Sequence, residues 1–285
     1  MQMNAFRFFW GCAWVTSILL IVNESVFSQK ETEIATVKFP HQWIGDIDRI
    51  NFKEPSGIVF HPTRGTLFVV GDGGDICEIK TDGTPVKQKR IRRADFEGIT
   101  CDPATGLLYI AVEGEEMIIE LHPEDFSILR TFSIERTFRG KVRLKPGGQG
   151  IEAITFVPDV NHREGGTFFV ANQSFTLADQ EDLSAIFEIQ VPLKSDSGRN
   201  PGAKIVRYFS INVIDLSGLA YDSNSDHLYV ISDATDTFLE ITKQGKILKS
   251  YALPGKDQEG IAIDNKDFLY IAQDSGGIIK CKWNR

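Results

Sequence analysis

Five stretches of this chain share one layout: an acid or serine, a small residue, an apolar run, a polar turn, a second apolar run and a closing polar residue. They are PSGIVFHPTRGTLFVVGD (55–72), FEGITCDPATGLLYIAVE (96–113), IEAITFVPDVNHREGGTFFVANQ (151–173), LSGLAYDSNSDHLYVISD (216–233) and DQEGIAIDNKDFLYIAQD (257–274). Repetition at this spacing restricts the chain to solenoids, propellers or arrays. Gly57 and Gly98 are 41 residues apart, and Gly218 and Gly260 are 42 apart. The intervals from Gly98 to Ala153 and from Ala153 to Gly218 are 55 and 65 residues, so two units carry insertions.

Each unit reads as strands. GIVF and LFVV are short runs rich in β-branched and aromatic residues, parted by turn chemistry. A third run follows (DICEI, MIIEL, SAIFEI, TFLEI, GIIKC), then a fourth, more polar one (PVKQKRI, ILRTFSI, KIVRYFSI, KILKSYAL). Four strands in about 41 residues make a propeller blade. The expected fold is therefore an all-β, single β-propeller of four-stranded blades: five, or six if the longer intervals hide a degenerate unit. The fifth unit stops after its third strand at Arg285, and IATVKFP or QWIGDI near the N-terminus would supply the missing strand and close the ring. Closure removes exposed sheet edges.

The first 28 residues differ from the rest. Arg7 precedes FFWGCAWVTSILLIV (8–22), an apolar run of h-region length and short for a membrane span. The expected organisation is a signal peptide or N-terminal membrane anchor over 1–28 and a propeller over 29–285. The protein is then exported, periplasmic or extracellular, and anchored in the inner membrane through 8–22 if the segment is retained. Net charge is −8 with a pI near 5.2, which excludes a nucleic-acid partner that needs a basic face. Cys77, Cys101 and Cys281 form no CxxC or Cys/His cluster, which argues against zinc and for buried apolar cysteines in strands.

Alignment on the glycine gathers the acids. The preceding residue is Ser56, Glu97, Glu152, Ser217 or Glu259, and the residue closing the second run is Asp72, Glu113, Gln173, Asp233 or Asp274. In an antiparallel hairpin both positions lie at the open end. Seven carboxylates (Glu97, Glu152, Glu259, Asp72, Glu113, Asp233, Asp274) should then crowd one mouth of the channel. Like charges that close need protons, basic side chains or a hard cation. Oxygen donors without thiols suit Ca²⁺ or Mg²⁺, and Asn172 and Gln173 would add neutral oxygens. The competing reading is structural: the acids accept backbone N–H bonds and stitch neighbouring blades.

Basic residues precede two of the glutamates. Arg92 and Arg93 lie just before Glu97, and Arg139 and Arg143 lead toward Glu152. They are candidates for holding a phosphate or carboxylate. KPGGQG (145–150) lacks the GK[ST] and the helix of a phosphate loop. DSNSD (222–226) reads as a hairpin turn rather than a calcium loop. Ser56 and Ser217 have no GxSxG elbow around them, and the five histidines form no triad.

LSGLAYD, LYVISD, LEI…GKIL and QEGIAID…LYIAQD resemble the SdiA-regulated (YjiK-like) family of bacterial exported β-propellers, over about residues 40–285. More distantly the acid–glycine strand openings are similar to NHL-repeat and gluconolactonase-like propellers, in which channel-mouth Glu, Asn and Asp bind a divalent cation. The resemblance implies an exported propeller and leaves its ligand open. The expected function is a binding or scaffold module with a divalent-cation or small-anion site at the acidic mouth, engaging a small molecule or an envelope protein. The alternative is a Ca²⁺- or Mg²⁺-dependent hydrolase, phosphoesterase or lactonase-like, with Glu97 or Glu259 taking a proton.

Overall fold

Short apolar runs rich in Ile, Val, Phe and Tyr favour pleated, packed backbone. Every regular element among the described residues is a β-strand. The computed structural model describes residues 34–145, 150–179, 182–195 and 202–285. The apolar N-terminal segment and positions 146–149 of KPGGQG lie outside them.

Strands β1 (Thr36–Lys38) and β2 (His41–Asp46) precede the repeats. Blade 1 is β3 (Pro55–His61), β4 (Thr66–Gly71), β5 (Asp75–Lys80) and β6 (Pro85–Arg90). Blade 2 is β7 (Asp95–Cys101), β8 (Leu108–Glu113), β9 (Met117–Leu121) and β10 (Ile128–Glu135). A small hairpin, β11 (Thr137–Phe138) and β12 (Lys141–Val142), follows. Blade 3 is β13 (Ile151–Pro158), β14 (Gly166–Asn172), β15 (Ala185–Gln190) and β16 (Ala203–Ser210). Blade 4 is β17 (Leu216–Asp222), β18 (His227–Ser232), β19 (Thr237–Thr242) and β20 (Ile247–Ala252). Blade 5 is β21 (Gln258–Ile263), β22 (Phe268–Gln273), β23 (Ile278–Trp283) and, returning from the N-terminal side, β2.

The inner strands β3, β7, β13, β17 and β21 touch in that cyclic order, and β21 meets β3 again, so the ring closes with five blades. The long intervals are taken up by the β11–β12 hairpin and by loops rather than by a sixth blade. Of the two candidate closing strands, 41–46 is the one that completes blade 5, antiparallel to β23 with Trp43 opposite Cys281. The other, β1, adds to blade 4 as a parallel fifth strand beside β20. The outer strands of blades 2 and 3 pair with each other, Ile134 opposite Ala203.

Glycine fixes how closely the inner strands approach the axis. A Cβ at Gly98 would lie 2.7 Å from Ile154 N, one at Gly57 2.8 Å from Gly98 Cα, and one at Gly260 2.8 Å from Ile58 N. The glycine of four of the repeats is thus the point where two inner backbones nearly touch. Five apolar clusters fill the five seams between blades, for example Phe39, Tyr229, Phe238 and Trp283 between blades 4 and 5. Each fully buried aromatic contributes about 1.5–3 kcal/mol.

A second repeat-wide device ties third strands to fourth. Glu78, Glu120, Glu188 and Glu240 sit opposite Lys87, Arg130, Arg207 and Lys249, one pair per blade. Arg130 Nε donates to Glu120 Oε2 at 2.6 Å, and Lys87 Nζ lies 3.3 Å from Glu78 Oε2. In blade 5 a lysine, Lys280, replaces the glutamate and donates to Thr81 O at 2.7 Å. Cys77, Cys101 and Cys281, the cysteines among the described residues, are free thiols in buried positions, as the strand reading expects. Burial pushes Cys101 up to about 12 and Cys281 to about 11.

Candidate functional site at the acidic mouth

In all five blades the first hairpin carries a register shift at one place. The skipped residues are Ser56, Glu97, Glu152, Ser217 and Glu259. A bulge leaves its extra residue out of the ladder and re-aims its side chain. The residue before the glycine is therefore the bulged one in every blade. Four of these residues, Ser56, Glu97, Ser217 and Glu259, line a water-sized cavity of about 10 Å³ on the channel axis.

The two serines are satisfied by the next blade. Ser56 donates to Phe96 O, and Ser217 to Gln258 O at 2.7 Å. The three glutamates have no such outlet. Burial, then Glu152 and Asp72, hold Glu97 well above the ordinary carboxylate range. Burial, then Glu113, raise Glu152. Burial, then Asp233, Asp215, Asp274 and Asp72, push Glu259 up to about 8. Asp72 rises to about 6 through burial and the charges of Asp95 and Asp274, and Asp233 is raised mainly by burial. The seven acids of the repeat alignment therefore share one electrostatic neighbourhood. Asp72, Asp95 and Glu97 bring carboxylate oxygens within 4.8 Å of one another. Two donors on one Ca²⁺ at 2.3–2.6 Å stand up to about 5 Å apart, so the spacing and the all-oxygen chemistry fit such an ion.

The stitching reading also has support. Glu113 Oε1 accepts from Gly150 N at 3.0 Å, and Asp233 Oδ1 from Gln258 N at 2.7 Å, each across a blade boundary. Gln173 Nε2 donates to Asp215 Oδ1 at 2.9 Å, so its carbonyl oxygen remains for another partner. Asn172 is buried and donates to Gln173 O and Leu183 O, while its Oδ1 has no hydrogen-bond partner.

A third acidic rank was not read from the sequence. Glu54, Asp95, Asp215 and Asp257 stand two residues before the bulged position in four of the five blades. Glu54, Asp215 and Asp257 adopt left-handed φ of 46°, 56° and 53°, an uncommon conformation outside glycine that acidic and amide side chains tolerate best. Asp215 caps its neighbours as well, accepting from Ala234 N at 2.8 Å. Counting two residues back from each repeat's key position would have found this rank.

The basic candidates divide. Arg92 pairs with Glu115 on the connection into Asp95, its Nε is buried without a partner, and Arg93 beside it is exposed. Arg139 lies 5.1 Å over Phe138, and Arg143 lies 5.5 Å over Tyr208 of β16. Phe138 packs edge-on against Tyr208 at 5.7 Å, so this hairpin is seated on the outer strand of blade 3. DSNSD is a hairpin turn, with Asp222 accepting from Asn224 N, Ser225 Oγ and Tyr229 Oη and pairing with Arg285 at 2.7 Å.

A cavity of 280 Å³ opens at the other end of the channel, away from the bulged acids. It is lined by the later halves of the five inner strands and the turns that follow them.

Comparisons with known proteins agree with this geometry. Myxococcus xanthus glutaminyl cyclase superposes with a TM-score of 0.60 at 13% identity, over 87% of this chain and 97% of that one. The Swd1 β-propeller domain of Myceliophteria thermophila gives 0.48 at 9% identity, over 85% of this chain and 99% of that one. At these identities the first likeness speaks to the fold alone. No curated protein sequence matches the chain. The SdiA-regulated family model matches residues 44–275, and the chain belongs to the SdiA-regulated family.

Proposed function

We propose that this propeller is a binding module whose acidic mouth holds a hard divalent cation, Ca²⁺ or Mg²⁺, as the anchor for a small ligand or a partner surface. The observation that carries the reading is the set of five bulges, three of which deliver Glu97, Glu152 and Glu259 to one partly buried, mutually repelling neighbourhood. Without a cation such a group must take up protons to stay buried. Asp72, Asp95 and Glu97 would be the principal donors, with Glu152 and Glu259 in support. Arg92 and Arg93, on the connection that leads into Asp95, would bring positive charge toward an anionic group held by the cation.

The test is thermal melting of the full-length protein in EDTA and in added Ca²⁺ or Mg²⁺. A saturable rise with either ion, lost in Glu97→Gln, is the expected result. An identical melting curve in EDTA and in millimolar Ca²⁺ and Mg²⁺ would remove the cation from the account. Turnover of phosphoester or lactone substrates that is abolished by EDTA would favour the hydrolase alternative, with Glu97 or Glu259 as proton acceptor.

A further inference from the structure

The cavity at the opposite mouth has a wall whose polarity follows from a substitution pattern around the ring. In blade 2, Thr100 Oγ1 accepts from Phe156 N of the next inner strand at 3.0 Å. In blade 3, Thr155 Oγ1 accepts from Tyr221 N at 3.0 Å. These amides sit on the edge of the inner strand that its own hairpin partner does not use. Phe60, Cys101 and Ile263 occupy the same ladder position as Phe156 and Tyr221, three residues beyond the repeat's glycine or alanine. The residues that would face them from the preceding blades are Ala262, Val59 and Ala220, which carry no acceptor. All six of these residues line the cavity.

Blades 5, 1 and 2 are consecutive in the ring. One side of the cavity therefore presents three adjacent main-chain N–H groups without a side-chain acceptor, and the other side has its two donors already satisfied by threonine. Donors left this way demand an acceptor, because an unmade hydrogen bond in a sheltered site costs about 1–3 kcal/mol. The remaining surface is mixed, with Ile58, Ile99 and Ile261 beside the polar Ser223, Asn224 and Asn265. The two carboxylates in the lining are engaged elsewhere: Asp222 by Arg285 and three donors, and Asp264 by Lys266 N, Phe268 N and Tyr270 Oη. A cation finds both carboxylates already occupied by hydrogen-bond donors, and an anion meets two buried carboxylates at the rim.

We infer that this cavity is a second binding site, distinct from the acidic mouth, for a small uncharged molecule with an apolar body and a carbonyl acceptor turned toward Phe60, Cys101 and Ile263. A volume of 280 Å³ accommodates a six-membered ring with a short substituent. The small cavity beside Glu97 and Glu259 adjoins this one at the glycine contacts, sharing Ile58, Ile99, Ile154, Leu219 and Ile261 with it.

The experiment uses four probes of one size: cyclohexanone, cyclohexanol, cyclohexylammonium and cyclohexanecarboxylate. Each is titrated into full-length protein labelled on backbone ¹⁵N and isoleucine methyls. The expected result is saturable binding with the ketone tightest and the ammonium weakest, moving the amides of Phe60, Cys101 and Ile263 and the methyls of Ile58, Ile99 and Ile261. Val59→Thr, nearly isosteric, installs the hydroxyl that Thr100 and Thr155 supply in other blades. It should weaken the ketone about fivefold, the worth of one hydrogen bond. Ala262→Thr should act likewise on the Phe60 amide. No saturable shifts with any probe, an ammonium as tight as the ketone, or unaltered ketone affinity in a folded Val59→Thr would overturn the inference. The wild-type amide shifts decide the question even if a variant fails to fold.

Discussion

Glu259 offers the sharpest test of the crowded mouth. Its carboxyl is pushed from 4.5 to about 8 by burial and by Asp233, Asp215, Asp274 and Asp72. The folded protein therefore holds a proton that the unfolded chain has released above pH 4.5. The sign follows from proton linkage: a raised carboxyl contributes stability that is complete below its unfolded pKa and is lost as pH rises toward its folded one. At pH 7 the group is two and a half pH units above its unfolded value and still protonated when folded. At 1.36 kcal/mol per pH unit that amounts to about 3 kcal/mol of lost stability. Glu259→Gln keeps the shape, removes the titration and should recover most of that sum in EDTA. For a chain of this size the gain is roughly 6–12 °C in melting temperature. The assay is differential scanning calorimetry of both proteins in EDTA from pH 4.5 to 8. The wild type should lose stability steadily across that range, and the variant should lose less, so the two curves diverge upward in pH. Parallel curves, or a variant less stable than wild type at pH 7, would refute the reasoning, because they would place the Glu259 carboxylate in solvent or on a satisfied partner.

Other outcomes follow from particular contacts. Gly98→Ala puts a methyl 2.7 Å from Ile154 N, where backbone must move, and should cost about 1–3 kcal/mol in urea unfolding. Arg285→Ala leaves the buried Asp222 without its cation; it should cost about 1–3 kcal/mol, read from the shift in urea midpoint at unchanged slope. Cys77, Cys101 and Cys281 should be silent to a thiol reagent in the folded protein and react together in denaturant. Labelling of Cys101 alone under native conditions would mean that the second cavity opens wider than described.

Much of the architecture is written locally. Alternation, turn chemistry and the glycine spacing mark the strands, and the incomplete fifth unit marks the closure, because these are short-range properties of the chain. The ring of glutamates is legible because the repeat alignment places one residue per blade. The third acidic rank at Glu54, Asp95, Asp215 and Asp257 escaped because it lies at the entry to each inner strand, where the repeat looks irregular and blade 3 has a glycine in its place. The seating of Arg139 and Arg143 on Phe138 and Tyr208 depends on where a hairpin folds back, which no spacing encodes. The second cavity is hidden for another reason. Val59, Ala220 and Ala262 are ordinary strand residues, and their meaning appears only beside the threonines that hold the same place in other blades.

The pairing of β2 with β23 sets an order of events in the life of the chain. One partner precedes the four complete blades and the other follows them, so this clasp cannot fasten until all of them have been synthesised. Until then Trp43 and Ile44, half-exposed even in the finished ring, wait on a strand whose ladder partner, β23, is not yet in place. Such distant partners make for slow folding and for a vulnerable interval that a chaperone or a protease would recognise. A chain cut short before Ile278 would never leave that interval.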